Sequence, residues 1–164
     1  MHAWFNALAP QYGCVGLVKW VLYKTSKRGE FGEWGMIAPV RSPRGPFHAW
    51  PTCDVTRIFN ELIGPGWLAD GFGKAANGRI LASRFKDPAA GGQSVVVLNN
   101  TTQAQSVQVK GVNKNTRFAS VEWNRDGNGK RHKLDAPILS GGSDTVSVNV
   151  PSHGLVAFTT LPLN

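Results

Sequence analysis

The feature that most constrains this 164-residue chain is a nearly continuous apolar run, from Val15 to Tyr23. A run of this kind is typical of a β-strand buried on both faces, as in a parallel sheet covered by helices. A buried strand needs paired neighbours on both edges, because unpaired backbone groups are costly to bury. The first 66 residues offer no parallel neighbour for it. We therefore expect this strand to belong to a sheet larger than the chain supplies.

Helical segments flank that strand. Ala3–Leu8 is predicted to be a short helix, and Lys24–Pro46, rich in Gly, Pro, Arg and Lys, a long loop. Thr52 or Asp54 is then predicted to cap a second helix. Its apolar residues recur at the spacing of a single helical face. They are Val55, Ile58, Phe59, Leu62 and Ile63.

The composition of the sequence changes near Gly64-Pro65-Gly66. Gly64 is expected to end the helix and Pro65 to prevent its continuation. We predict a domain boundary there, with residues 1–66 and 67–164 on either side. The second region reads as short strands separated by turn signals, typical of an antiparallel β-sandwich. The predicted strands are Ile80–Phe85, Ser94–Leu98, Ser106–Val109, Thr116–Trp123, Lys130–Leu134, Thr145–Val150 and Leu155–Thr159.

The charge of the chain limits its partners. It carries 18 Lys and Arg against 10 Asp and Glu, a formal net charge of +8. Such a surplus favours nucleic-acid binding where the cations cluster. Here they are spread along the chain, and the densest run, 130–133, is short. We expect a solvated basic surface and no nucleic-acid partner.

The cysteines, the histidines and the hydropathy pattern argue against disulfide-rich, metal-binding and membrane-spanning proteins. Cys14 and Cys53 are too few for a disulfide framework and lie among apolar residues, so we expect buried thiols, with a single bridge left open. The four His are scattered and pair with no Cys, so no metal site is predicted. No cofactor is expected either. No apolar run approaches the roughly 18 residues that span a membrane, so no membrane partner is expected. Residues 1–5 do not read as a signal peptide.

Three segments together resemble the carboxy-terminal end of a glycoside hydrolase. They are the strand ending in Trp and Tyr, the motif Leu62-Ile63-Gly64-Pro65-Gly66-Trp67, and the closing strand Gly154–Phe158. The similar enzymes are retaining hydrolases of the xylosidase and arabinofuranosidase type, with a (β/α)8 barrel and an appended β-sandwich. The resemblance implies a mainly β chain: a sandwich at 67–164, preceded at 1–66 by the end of a barrel. By the resemblance, Ala3–Gly13 corresponds to the helix after barrel strand seven, Val15–Tyr23 to strand eight and Val55–Ile63 to helix eight.

The resemblance also implies what the chain lacks. Enzymes of this type use two carboxylates about 5 Å apart, and both would precede Met1, so no catalytic residue is expected here. The acids that remain are predicted to be solvated surface groups; Glu33, beside Trp34 in the loop, is the exception closest to the active-site face. The expected partners are carbohydrate and the missing barrel, and the expected location is extracellular or periplasmic.

Three aromatic residues are the candidate substrate contacts, because a flat ring stacks on the apolar face of a pyranose. By the resemblance, Trp20 and Tyr23 lie near the carboxyl end of the last barrel strand, where such enzymes build their pockets, and Trp34 lies in the following loop. Packing between barrel and helix is the alternative for Trp20. The sandwich as a carbohydrate-binding module without catalysis is the alternative function.

Overall fold

A computed structural model describes residues 2–14, 51–75, 77–125 and 131–163. Helix α1 spans His2–Leu8 and continues as a 3₁₀ turn at Ala9–Tyr12, and helix α2 spans Pro51–Leu62. The rest of the described chain is built from strands. They are β1 (Leu68–Lys74), β2 (Ile80–Lys86), β3 (Gln93–Asn99), β4 (Gln105–Lys110), β5 (Arg117–Asn124), β6 (Arg131–Lys133), β7 (Ile138–Leu139), β8 (Thr145–Val150) and β9 (Gly154–Thr159).

The strands form two sheets. The central sheet has the order β1-β2-β3-β9-β5-β6, with β7 also paired to β5, and β4 and β8 pair as a separate ribbon. All of these pairings are antiparallel. The two helices pack on one face of the central sheet and the ribbon packs on the other. The predicted fold class, mainly β with an antiparallel sandwich, is confirmed.

The face of the central sheet toward the helices carries one hydrophobic core, here called the helix-side core. Ile58 and Leu62 of α2 are fully buried there against Leu81 of β2, Leu155 of β9 and Val121 of β5. The helix contributes its apolar stripe, as its sequence spacing predicted, and the sheet contributes every second residue of its strands.

The face toward the ribbon carries the second core, here called the ribbon-side core. Val97 of β3, Phe118 of β5 and Phe158 of β9 are fully buried against Val148 of β8. The rings of Phe118 and Phe158 lie 5.2 Å apart at 77°, an edge-to-face pair. Because β3 and β9 are covered on both faces, every residue of these two strands is buried.

Strand β8 shows the alternation that its sequence predicted. Val146, Val148 and Val150 are buried, whereas Ser147 and Asn149 are exposed. The ribbon therefore has one face in the core and one in solvent, because nothing in the described chain covers its outer side.

Two details of α2 differ from prediction. The helix begins at Pro51, so Thr52 and Asp54 lie inside its first turn and neither is the cap. Proline suits this first position, since its missing N–H has no intrahelical partner to lose. The helix also ends at Leu62, before Gly64. Gly64 instead leaves room for a ring: a Cβ there would come within 2.7 Å of Nε1 of Trp67.

Each of the seven predicted strands overlaps an observed one, and two strands were missed. Strand β1 contains Gly71 and Gly73, a residue type that is depleted in strands, and its pairing with β2 is interrupted by a bulge between Ala69 and Phe72. Strand β7 has only two residues. Neither presents the alternation by which a strand is recognised in a sequence.

The predicted barrel strand Val15–Tyr23 and the predicted loop Lys24–Pro46 lie outside the described residues. The boundary at residue 66 and the division into 1–66 and 67–164 therefore stay predictions. Within the described chain, α2 and the strands share the helix-side core.

Candidate functional site

A set of buried polar contacts joins the helices to the central sheet; we call it the helix–sheet seam, formed by Gln11, Leu62, Gly71, Ser83 and Ser94. Gln11 follows α1, and its Nε2 donates to Ser83 Oγ at 2.8 Å and to the carbonyl of Arg84 at 2.9 Å. Ser83 Oγ donates in turn to the carbonyl of Ala7 at 2.7 Å. One amide and one hydroxyl thus tie the end of α1 to β2.

The bulge in β1 completes this part of the seam. Gly71 has φ of +100°, a conformation that glycine adopts without strain. Its N–H donates to Oε1 of Gln11 at 2.9 Å. The local irregularity that interrupts the strand therefore turns a backbone donor toward the helical segment, so that the side-chain amide of Gln11 is bonded through both its nitrogen and its oxygen.

The second part of the seam lies at the end of α2. Ser94 Oγ of β3 donates to the carbonyl of Leu62 and is 2.6 Å from Oγ1 of Thr159 on β9. Ser94 and Thr159 are fully buried. The last helical carbonyls lack intrahelical donors, so a serine supplied by the sheet satisfies one of them inside the core.

Three tryptophans, Trp4, Trp67 and Trp123, are half-buried against the helix-side core. Trp67 lies between two glycines. A Cβ on Gly92 would approach its ring within 3.0 Å, as one on Gly64 would. The ring thus fills the junction between α2 and β3.

The residues predicted to touch substrate lie outside the described part of the chain. This holds for Trp20, Tyr23 and Trp34, and also for Glu30 and Glu33. Their role as sugar contacts, or as surface groups in the case of the acids, therefore stays a prediction.

Three acids in the described residues, Glu61, Asp70 and Asp87, make structural contacts. Glu61 accepts a hydrogen bond from Nε of Arg57 one helical turn away, at 2.6 Å, and this bond raises the pKa of Arg57. Asp87 Oδ1 accepts from the N–H of Ala89 in a turn. Oδ2 of Asp70 lies 3.9 Å from Nε of Arg84. These contacts stabilise the fold and do not indicate acid–base chemistry.

Three further observations concern metal binding, membrane insertion and nucleic-acid binding. Ranges 2–14, 51–75, 77–125 and 131–163 hold no group of three His, Cys, Asp or Glu able to bind a metal. Within the same ranges no helix is long and apolar enough to cross a membrane. In the basic run 130–133, Nζ of Lys133 donates to the carbonyl of Leu163 at 2.6 Å, so this cation has a structural role.

The burial of the two cysteines differs from the prediction. Cys14 is exposed and Cys53 is half-buried, and they do not form a disulfide. The expectation that both are buried was wrong, because Cys14 follows the 3₁₀ turn at the surface while Cys53 lies on the first turn of α2. Burial, and then the charge of Asp54, raises the pKa of the Cys53 thiol, while Arg57 lowers it.

An exposed aromatic pair was missed by the sequence reasoning. Tyr12 is 73% exposed and Phe72 is 41% exposed. Their ring centroids are 5.8 Å apart at 48°, and Nζ of Lys74 lies 5.8 Å from the centroid of Phe72. The pairing joins the 3₁₀ turn to β1, two elements distant in sequence, so no local pattern could have indicated it.

Comparison with known proteins identifies solved structures that have a similar fold. No protein-family model matches the sequence, and no curated protein matches it. The structure is similar to the catalytic domain of a family 30 glycoside hydrolase, xylanase C from Talaromyces cellulolyticus, with a TM-score of 0.61 and 17% identity over 79% of this chain and 28% of that one. It is also similar to a family 30 endoxylanase from Clostridium papyrosolvens, with a TM-score of 0.57 and 16% identity over 74% of this chain and 31% of that one.

A family 30, subfamily 8 xylanase from Clostridium acetobutylicum matches with a TM-score of 0.60 and 15% identity over 78% of this chain and 31% of that one. The chain thus spans less than a third of the length of these solved structures, and the matched region is their C-terminal part. At these identities the likeness shows the fold. The resemblance predicted from the sequence, to the C-terminal part of a glycoside hydrolase, is confirmed at that level.

Proposed function

We propose that this chain is the carboxy-terminal part of a glycoside hydrolase that acts on xylan or a related polysaccharide, in which the β-sandwich braces the catalytic barrel. On this proposal the two catalytic carboxylates lie outside the chain, and the chain alone has no hydrolytic activity. The observation that carries it is the match of 74–79% of this chain to family 30 xylanases.

The helix–sheet seam supports the bracing role. By the resemblance, α1 and α2 correspond to the last two helices of a barrel. Both pack on the central sheet, and their ends are bonded to it through Gln11 and Ser94. A helix that belongs to one domain and is buried against another transmits stability between them, because neither can unfold there without exposing the shared core.

Substrate contact is proposed for the three aromatic residues identified in the sequence. Trp20 and Tyr23 would face the sugar at the end of the last barrel strand, and Trp34 from the loop after it. An extracellular or periplasmic location is proposed with this function, because polymeric xylan does not enter a cell.

The proposed absence of hydrolytic activity is tested by assaying the purified chain with an aryl β-xyloside and with soluble xylan. We expect no turnover of either substrate. Turnover that disappears in Glu33→Gln would contradict the proposal, because the chain would then carry its own catalytic carboxylate. Circular dichroism of both proteins shows that the variant is folded.

The proposal that a barrel precedes this chain is tested by sequencing the transcript upstream of Met1. We expect an in-frame extension encoding repeated βα units. An in-frame stop codon immediately upstream would contradict the proposal, and would favour a chain that acts alone.

A carbohydrate-binding module without catalysis is the second candidate, and the exposed pair Tyr12 and Phe72 is the observation that favours it. Stacking on a pyranose needs an exposed ring, which both residues supply, although their 48° tilt prevents a single flat platform. Affinity electrophoresis on xylan and other polysaccharides tests this function. Retardation that is lost in Phe72→Ala and kept in Phe5→Ala, an exposed aromatic in α1, would support it; unretarded migration on every polysaccharide would contradict it.

A further inference from the structure

The turn between β3 and β4 contains two overlapping acceptor motifs for N-linked glycosylation. We call Asn99-Asn100-Thr101 the first sequon and Asn100-Thr101-Thr102 the second; no other Asn in the 164 residues is followed two positions later by Ser or Thr. The motif supplies an amide that receives the glycan and a hydroxyl two residues later, and the bulky glycan needs solvent around it. The sequence does not choose between the two asparagines, whereas their surroundings in the fold do.

The asparagine of the first sequon is built into the fold. Asn99 ends β3 and is 2% exposed. Its Nδ2 lies 2.8 Å from the carbonyl of Gln103, 3.0 Å from that of Pro151 and 3.2 Å from that of Val150. Both amide hydrogens are therefore committed to backbone carbonyls. A glycan would replace one of these hydrogens at a buried position, so it would break the contacts that hold the turn.

The hydroxyl of the first sequon is committed in the same way. Oγ1 of Thr101 lies 2.8 Å from Oδ1 of Asn99 and 2.8 Å from the carbonyl of Gln103. The N–H of Thr101 donates to Oδ1 of Asn99 at 2.9 Å, and its carbonyl accepts from the N–H of His153 at 3.0 Å. Side chains of this kind hold turns by bonding to nearby backbone groups. The first sequon is therefore a structural motif.

The second sequon has the opposite surroundings. Asn100 and Thr102 are both exposed. The backbone N–H of Asn100 donates to the carbonyl of Arg79 at 2.8 Å, which fixes the main chain at this position while the side chain stays in solvent. The second sequon thus combines a rigid backbone with an accessible amide and an accessible hydroxyl.

The position of Asn100 keeps a glycan away from the contacts between helices and sheet. Ser94, which bonds to the carbonyl of Leu62 at the end of α2, lies near the beginning of β3, and Asn100 directly follows its end. Six extended residues separate the two positions by about 20 Å. A glycan on Asn100 would therefore stand at the opposite end of the sheet from the end of α2.

We propose that Asn100 is an N-glycosylation site and that Asn99 is not. In the reaction, Nδ2 of Asn100 bonds to C1 of an oligosaccharide carried by a lipid diphosphate. The bond from C1 to the diphosphate oxygen breaks, and one amide proton is released. The donor belongs to a eukaryotic secretory pathway, so the presence of the glycan on the native protein rests on the extracellular location proposed above. The choice between the asparagines rests only on the contacts of residues 99–102.

The test produces the 164-residue chain in a eukaryotic host behind a cleavable secretion signal, so that export does not depend on the native location. Chain from the medium and from the secretory membranes is treated with peptide-N-glycosidase in ¹⁸O-water, which converts each glycosylated Asn to labelled Asp. Tandem mass spectrometry then locates the label, with an untreated sample as the control for spontaneous deamidation. We expect label at position 100, and none at position 99 of the secreted chain.

The two adjacent threonines provide matched variants. Thr102→Val removes only the second sequon, and it should abolish the label at position 100. Thr101→Val removes only the first, so it should keep that label, yet lower the secreted amount severalfold because the turn loses its hydroxyl. Asn100→Gln should also abolish the label, and an unchanged circular dichroism spectrum of the secreted variant would show that the fold does not need this side chain.

Three results would overturn the proposal. The first is the absence of label at position 100 in both the medium and the secretory membranes. The second is label at position 99 in the secreted chain, and the third is label at position 100 that persists in Thr102→Val. Hydrolysis by the chain alone, or a stop codon upstream of Met1, would contradict the proposed function and would leave the result at residues 99–102 unaffected.

Discussion

The two faces of the central sheet are covered by different means, and the coverings differ in how much they enclose. On the helix side, Leu81, Val121 and Leu155 are fully buried across β2, β5 and β9. On the ribbon side, Val97 is fully buried, but Ile80 on β2 is not. The same strand, β2, is thus inside the molecule on one face and half in solvent on the other.

The widths of the covering elements explain this difference. A helix with its side chains is about 10 Å across, whereas neighbouring strands are about 4.8 Å apart. Two helices therefore cover about four strands of a sheet, and two strands cover about two. Equal numbers of elements on the two faces cannot enclose equal areas. Within the described residues, the ribbon side of this sandwich is therefore the less completely covered one.

The largest effect is expected from the centre of the ribbon-side core. Phe158→Ala removes a fully buried ring and its edge-to-face partner contact, and should lower the free energy of unfolding by about 3–5 kcal/mol. Urea denaturation followed by tryptophan fluorescence measures it. Leu139→Ala, at a side of the sheet where the residue is 66% exposed, should change stability by less than about 0.5 kcal/mol.

Because that alanine variant could unfold the chain, Phe158→Leu provides a milder form of the same test. It should keep the fold and lose part of the same stability. An unchanged unfolding free energy in both variants would break the comparison, since the ribbon side would then contribute no core.

Two valines on the ribbon side sharpen the comparison further. Val97 of β3 lies under the ribbon and is fully buried, while Val107 of β4 lies at the margin of the ribbon and is half-buried. Val97→Ala should cost about 1.5–3 kcal/mol, since two buried methyl groups are lost, and Val107→Ala less than about 1 kcal/mol. Thermal denaturation of both variants in parallel gives the difference. Equal costs would mean that the margin of the ribbon at β4 is as well enclosed in solution as its centre.

The helix side is tested through its seam. Ser83→Ala removes the hydroxyl that donates to the carbonyl of Ala7 and accepts from Gln11. The buried carbonyl loses its partner, so unfolding should become easier by about 1–3 kcal/mol. Ser147→Ala, on the exposed face of β8, is the matched control and should be nearly neutral. A neutral Ser83→Ala would show that apolar packing alone holds the helices.

Much of the sandwich could be predicted from the sequence because its signals are local. The alternation of Val146, Val148 and Val150 indicated a strand with one buried face, and the apolar spacing of α2 indicated the stripe that enters the core. Turn residues separated the seven predicted strands correctly. These signals need only a few neighbouring residues, so one sequence is enough to read them.

The rest depends on contacts between segments distant in sequence. Strand β1 is held by pairing to β2 and by Gln11, which lies 60 residues before Gly71. The aromatic pair Tyr12 and Phe72 arises in the same way. No periodicity reports such contacts. For the candidate site, the sequence predicted Trp20, Tyr23 and Trp34, which lie outside the described residues, so that part stays a prediction.

The smallest expected effect compares the thiols of the helical layer. Cys53 lies half-buried on the first turn of α2, and burial raises its thiol pKa, whereas Cys14 is exposed. The thiolate is the reactive form, so iodoacetamide at pH 8 should modify Cys14 several times faster than Cys53, as peptide mass spectrometry would measure. A raised pKa in the folded state also means that this group's contribution to stability is present below pH 9 and is lost as the pH rises through the folded value.

Arg57 sharpens the test, because its charge lowers the pKa of Cys53 against the effect of burial. Arg57→Gln should therefore slow the modification of Cys53 further and leave that of Cys14 unchanged. Equal rates for the two thiols in the unsubstituted chain would mean that the first turn of α2 opens in solution. The complete covering of the helix side would then be confined to the part of α2 between Val55 and Leu62.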